Sequence, residues 1–184
     1  MRPNIDYTKR CTPEEFLKAE LDMGISIANE EFVKLCKFTA EQIGDLRIKS
    51  VLDYGAGTGV YAEAYRKLGY DVYVYEIWDE HKRYIKDNLP QVKIAYEPIT
   101  TDLMNFIEVA EHMTSGEIMM LFNKIHPSYI LFSSTSEKTE WDEAWGHINI
   151  QTQEQWILFF DYLGYEYIKP LNYPTNYTKL FKRK

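Results

Sequence analysis

At 184 residues the chain suffices for one well-packed domain and is too short for two independent enzyme domains. It is 45% hydrophobic and 15% aromatic, which supplies ample core, while a net charge of -7 offers no long-range attraction to a phosphate backbone and argues against a nucleic-acid partner. Cys11 and Cys36 lack the close pairing of a zinc ribbon or redox motif, the start MRPNIDYTKR has no apolar leader, and no run approaches membrane-spanning length, so a soluble cytoplasmic protein is expected.

Thr12-Pro13-Glu14-Glu15 places a hydroxyl cap, a proline and a glutamate where a helix begins. A second helix follows Asn29, with Phe32, Leu35, Cys36, Ala40 and Ile43 at helical spacing. Both precede any strand signal, so residues 1–47 are expected to form a helical cap on a core of residues 48–184. From Ile48 onward short apolar runs alternate with amphipathic segments, the pattern of parallel strands joined by crossover helices.

Strands are predicted near Ser50 to Tyr54, Asp71 to Glu76, Val92 to Tyr96, Leu103 to Ile107 and Tyr129 to Phe132. The first crossover helix carries Tyr61, Ala64, Tyr65 and Leu68 on one face and ends at Gly69. Thr114 with Glu117, and Thr152 with Gln155, form capping boxes that open two later helices. The end of the chain reads as two strands, Tyr165 to Pro170 and Tyr177 to Lys182, around a turn at Asn172, Tyr173 and Pro174.

The turn Asp53-Tyr54-Gly55-Ala56-Gly57-Thr58-Gly59 leaves an apolar strand and opens into an amphipathic helix, which is the setting of a nucleotide site. A dinucleotide site wants glycine at the sixth position of the turn, where Val60 stands, so a nicotinamide-dependent oxidoreductase is disfavoured. Asp53 at the mouth would repel a pyrophosphate and suits a cationic ligand such as a sulfonium with an amino-acid tail. Glu76, ending the next strand, is placed to accept hydrogen bonds from two ribose hydroxyls, and Ile77 and Trp78 offer apolar cover for a purine.

DYGAGTG resembles the first motif of class I S-adenosylmethionine-dependent methyltransferases, and Glu76 matches their second. The resemblance runs from about Ile48 to the end of the chain. It implies a Rossmann-like α/β fold with a seven-stranded, mostly parallel sheet of order 3-2-1-4-5-7-6, strand 7 antiparallel, and helices on both faces. It further implies that Asp53, Gly55, Ala56, Gly57, Thr58 and Gly59 hold the methionine part of S-adenosylmethionine, Glu76 the ribose and Ile77 the adenine. Glu97 and Asp102 are the two candidates for the adenine amine.

Phe106 to Met113, FIEVAEHM, follows the fourth strand. A helical turn starting at Glu108 would set Glu108, Glu111 and His112 at i, i+3 and i+4 on one face, where two carboxylates, an imidazole and the remote His147 could ligate a divalent metal. The segment resembles the EVxEH motif of methyltransferases acting on ubiquinone precursors and of metal-dependent enzymes that methylate the terminal 2′-hydroxyl of small RNAs. Related enzymes carry the same Glu-His pair without metal, with Glu108 facing the cofactor, and a metal-free pocket is the preferred expectation. His112 and His147 are the candidate catalytic residues, His147 as general base.

Ser133 to Asn149 is expected as a loop or short helix over the cofactor, with Trp141 and Trp145 either against an acceptor or against the N-terminal helices. Tyr7, Phe16 and Tyr61 are candidate lid residues, whereas His81 and His126 read as surface. The expected activity is methyl transfer to a small-molecule O or N acceptor. Metal-dependent RNA methylation and a catalytically silent scaffold are the alternatives, and no oligomeric state is legible.

Overall fold

The structure, a computed structural model, describes residues 5–184; the first four residues of the expected cap lie outside the described residues. Two helices come first, α1 (Pro13–Asp22) and α2 (Glu30–Glu41). The predicted capping box is formed: Thr12 accepts from the Glu15 N–H, and Glu15 accepts in return from the Thr12 N–H.

Strands and helices then alternate through β1 (Ser50–Tyr54), α3 (Val60–Lys67), β2 (Asp71–Tyr75), α4 (Asp79–Asn88), β3 (Lys93–Ile94), β4 (Leu103–Ile107), α5 (Ser115–Lys124) and β5 (Tyr129–Ser133). A short α6 (Asp142–Trp145), α7 (Gln153–Tyr162), β6 (Tyr165–Pro170) and β7 (Lys179–Arg183) complete the chain. The seven strands lie in the order β3-β2-β1-β4-β5-β7-β6, and β7 runs antiparallel to both neighbours, as the resemblance implied. The third strand is shorter than predicted, two residues in place of five. Only Tyr73 and Val74 of β2 pair with it, so the chain leaves the sheet as soon as that pairing ends.

Alternation along the strands divides the core in two. Val51, Val72, Val74, Leu103 and Leu131 pack with α2 and α3 on one face. Leu52, Tyr54, Phe106 and Phe132 pack with α5 and α7 on the other. Successive residues of a strand point to opposite faces, and burial on both faces is what a parallel sheet covered by helices requires.

Trp156 anchors the second layer. It is fully buried, with its ring 5.2 Å from that of Phe132, and its indole N–H finds no acceptor among the described residues. Trp156→Ala is expected to cost about 3–5 kcal/mol, measured by denaturant unfolding. Trp156→Phe, which also deletes the unsatisfied donor, should cost less than about 1.5 kcal/mol.

The strand order reverses between β1 and β4, the switch point at which open α/β sheets bind ligands beyond the carboxyl ends of their strands. The register pairs Asp53 with Asn105 across that junction and so fixes two polar side chains at the mouth of the site. No helix among the described residues is long and apolar enough to cross a membrane.

Candidate cofactor and acceptor site

A cavity of about 850 Å³ opens at this switch point and extends from the glycine turn to the N-terminal helices and the His147 segment. This lies toward the upper end of the roughly 300–1,000 Å³ common for ligand sites, room for a cofactor and a second reactant. Asp53, Gly55, Ala56, Gly57, Thr58, Glu76, Ile77 and Glu108 all line it, while Gly59 stands behind as the left-handed residue that starts α3.

All three glycines of the turn have positive φ and no room for a side chain, and two of them face the cavity. Gly55 has φ +68° and a side chain there would stand 2.7 Å from Val109 Cγ2; Gly57 has φ +53° and would bring its Cβ within 3.0 Å of Glu20 Oε1. Gly55 N–H donates to the Tyr75 carbonyl, pinning the turn to the end of β2. Glu76 completes the brace, for its Oε2 accepts from the Gly57 N–H at 3.0 Å and its Oε1 from the N–H groups of Ile77 and Trp78. Oε2, which accepts a single bond, keeps acceptor capacity.

Asp53 is only 2% exposed. Asn105 donates to its Oδ1 at 2.7 Å and Tyr65 donates to Asn105 at 3.1 Å, but Oδ2 has no partner among the described residues. Burial, aided by Glu76 and opposed by Asn105, pushes its pKa up to about 7. A buried carboxylate with one free oxygen facing a cavity is a site for a cation.

Ile77 is 66% exposed at the cavity rim, where a purine would cover it. Of the two candidates for the adenine amine, Asp102 lies at the opposite end of the sheet, accepting from the Lys49 and Ser50 N–H groups. Glu97 is ion-paired with Lys124, itself a cavity residue.

The acceptor side departs from the expected geometry. Glu108 does not begin a helical turn; it has φ +52°, and a single 3-10 turn forms later, over Ala110–His112. A non-glycine residue in that region is strained, and Ser133 holds it there, its carbonyl accepting from the Glu108 N–H and its hydroxyl donating to the Glu108 carboxylate. Glu111, His112 and His147 gather within 4.8 Å of one another, and Glu108 falls outside that group. Three of the four candidate metal ligands are thus brought together, and Glu108 stands apart from them.

Glu111 is buried, with Ser134 donating to its Oε2 at 2.8 Å, and burial together with Glu108 raises its pKa well above the usual carboxylate range. His112 is pushed down to about 4 by burial and by His147, so its ring is neutral at physiological pH. The two imidazoles lie 4.9 Å apart.

His147 Nδ1 is 2.9 Å from Asp142 Oδ1. Burial works against ionisation of Asp142, yet the Thr139 amide, His147 and the Thr139 hydroxyl more than offset it and the pKa lies below the usual value. An ionised Asp142 fixes the proton of the neutral ring on Nδ1 and leaves Nε2 as a base.

Trp145 packs edge-on against Phe16 of α1 at 4.7 Å, and Trp141 lies 5.8 Å from Tyr7, so the tryptophans meet the N-terminal segment. Phe16 and Tyr61 line the cavity. The reading of His81 as a surface residue is overturned: its side chain is buried and bonds Glu20 Oε2 at 2.9 Å through Nε2. This acidic partner could not be read from the sequence, because Glu20 lies 61 residues away on α1. Asp142, Asn105, Ser133 and Ser134 were missed as well; of these only Asp142 carried a local signal, as a carboxylate five residues before His147.

Three solved structures share the fold. The pyocyanin biosynthetic protein PhzM superposes with a TM-score of 0.65 at 14% identity over 97% of this chain, which spans only 61% of that protein. CalS10, an amino pentose methyltransferase from Micromonospora echinaspora solved with S-adenosylmethionine bound, gives 0.59 at 13% identity, covering 84% of this chain and 91% of that one. Magnesium protoporphyrin IX methyltransferase from Synechocystis, solved with S-adenosylhomocysteine, gives 0.61 at 12% identity over 84% and 83%. Comparison with curated proteins finds no significant match. Residues 27–168, well over half of the sequence, match the profile of a methyltransferase domain, and with the class I fold around its glycine turn the chain belongs to the S-adenosylmethionine-dependent methyltransferases.

Proposed function

We propose that the protein transfers the methyl group of S-adenosylmethionine to a hydroxyl of a small acceptor held between α1 and the His147 segment, with His147 as general base. The observation that carries this reading is the Asp142–His147 pair, which gives an oriented imidazole at the cavity wall. Asp53 and the glycine turn would hold the amino-acid end of the cofactor, Glu76 its ribose and Ile77 its adenine. The residues fit that group because the cavity offers an orphaned buried carboxylate oxygen for a cation and an exposed apolar rim for a purine.

The bound cofactor supplies a methyl group already activated by the sulfonium. The chain then has two tasks, to align the acceptor oxygen and to take its proton. His147 Nε2 takes the proton while Asp142 stabilises the resulting imidazolium. His112, neutral and largely buried beside it, adds no competing charge. Phe16 and Trp145 favour an acceptor with a planar or apolar body.

A second reading rests on Glu111, His112 and His147. One carboxylate and two imidazoles form a mixed oxygen and nitrogen set suited to a transition-metal ion, and three protein ligands leave positions open. In that case the three residues would hold an ion whose chemistry would be Lewis-acid polarisation of the acceptor hydroxyl. An RNA acceptor is disfavoured under either reading, since Glu20, Asp53, Glu76, Glu108, Glu111 and Glu117 line the cavity against Arg10 and Lys124.

Incubation with methyl-labelled cofactor and a pool of hydroxylated metabolites should transfer label to a small molecule, and a chelator should leave the rate unchanged. Loss of transfer with a chelator, restored by added divalent ion, would establish the metal reading instead. Tight cofactor binding with no transfer to any pool would indicate a silent scaffold.

A further inference from the structure

The N-terminal helix α1 inserts a carboxylate into the cofactor end of the cavity. Glu20 has a side chain only 13% exposed, lines the same cavity as Asp53 and Glu76, and presents Oε1 to the glycine turn, 3.0 Å from where a side chain on Gly57 would begin. Its Oε2 is fixed by His81, a fully buried residue of α4. Phe16, one turn earlier, lies against Trp78 at 4.9 Å, so α1 is docked on the start of α4 at two points. Glu20 is therefore aimed by its surroundings and is not a solvated residue of the helix surface.

Three carboxylates thus converge on one turn. Burial is the largest cause raising the pKa of both Glu20 and Asp53, and the neighbouring Glu76 pushes each of them up further. Of the two basic residues lining the cavity, Lys124 is engaged by Glu97 and Arg10 stands beside Gly146. Neither reaches this cluster. Asp53 lines the same cavity, and its buried Oδ2, without a hydrogen-bond partner among the described residues, is a second observation that points to a positive group there.

We infer that Glu20, oriented by His81, is a cofactor-binding residue supplied by the N-terminal helix, and that it recognises the cationic methionine end of S-adenosylmethionine. This rests on the proposed cofactor site and adds to it a contact from outside the glycine-turn motif. His81 serves as a positioning residue, since it touches Glu20 and acts through it. One consequence is that α1 docks most firmly over a loaded site, because the ligand's positive charge offsets the repulsion that Glu20 meets from Glu76.

Calorimetry on the full chain with S-adenosylmethionine and with 5′-methylthioadenosine, which keeps the nucleoside but lacks the amino acid and the sulfonium, tests this directly. Glu20→Gln should weaken S-adenosylmethionine about ten- to hundredfold, the loss of one charge-assisted contact, and change methylthioadenosine less than about threefold. Glu20→Asp, which retracts the charge by one methylene, should fall between, and His81→Gln should show the same ligand selectivity more weakly. Thermal unfolding of each variant checks that it is folded, and Glu20→Asp keeps the test available if Glu20→Gln is not. Unchanged S-adenosylmethionine affinity in the folded variants, or equal weakening of both ligands, overturns the inference. Failure of the wild-type chain to bind S-adenosylmethionine would instead overturn the cofactor site on which it rests.

Discussion

Asp53→Asn is expected to make the ligand-free protein more stable and nearly unable to bind S-adenosylmethionine. The two effects share one cause. Asp53 is buried, and its pKa of about 7 lies far above the 3.8 of a free aspartate. For an acid whose pKa is raised on folding, the penalty is absent below the unfolded value, grows as pH rises from about 4, and is complete above about 7. At pH 8 the isosteric amide should recover as much as roughly 2–4 kcal/mol, seen as an increase of several degrees in the thermal midpoint. At pH 4 the gain should vanish.

The same ionisation sets affinity. A cationic ligand binds the carboxylate, so below about pH 7 the site must first give up a proton, and affinity should fall toward tenfold per pH unit. Calorimetry between pH 5.5 and 7.5 keeps the ligand's own amine protonated. Two groups facing Asp53 stay outside that window: Cys36 is pushed up to about 12 by burial, and Tyr65, also buried, lies well above its usual value; Glu20, raised by burial, shares the cavity and is present in both proteins. Glu76 faces it too and is present in both proteins, so the wild-type slope and a flat Asp53→Asn profile isolate Asp53. A pH-independent wild-type affinity would contradict this account.

What the sequence made legible follows from the range of the interactions involved. Capping boxes at Thr12, Thr114 and Thr152 are local hydrogen bonds within four residues, and all three form as read. The glycine turn is equally local, since Gly55 and Gly57 answer to left-handed backbone angles. The candidate cofactor end could therefore be read from one segment and the acid that follows the next strand. The acceptor end could not. There the reading considered a helical turn starting at Glu108, but the Ser133 side chain and carbonyl, 25 residues away, hold a left-handed residue and delay the turn to Ala110. His81 was misread for the same reason: its partner Glu20 belongs to a helix whose docking no local pattern encodes.

The largest catalytic effect is expected at His147. His147→Asn should leave S-adenosylmethionine affinity within about twofold of wild type and lower kcat about 10²–10⁴-fold, the range for removing a general base. Binding should persist because His147 lies on the α6 side of the cavity, bonded to Asp142, whereas the groups proposed to bind the cofactor sit on the glycine turn. Asp142→Asn separates orientation from proton acceptance. The amide can still bond to Nδ1, but it no longer enforces the tautomer that leaves Nε2 unprotonated, nor does it stabilise the imidazolium. It should lower kcat with little change in KM, and the rate should recover partly at higher pH as an acceptor hydroxyl ionises without help. A metal at Glu111, His112 and His147 predicts a different pattern, in which His112→Ala and His147→Ala lose activity together with bound metal while Asp142→Asn weakens metal affinity by about ten- to hundredfold. The same three variants, measured for turnover and for metal content, thus decide between an imidazole base and a metal-held acceptor at one cluster of side chains.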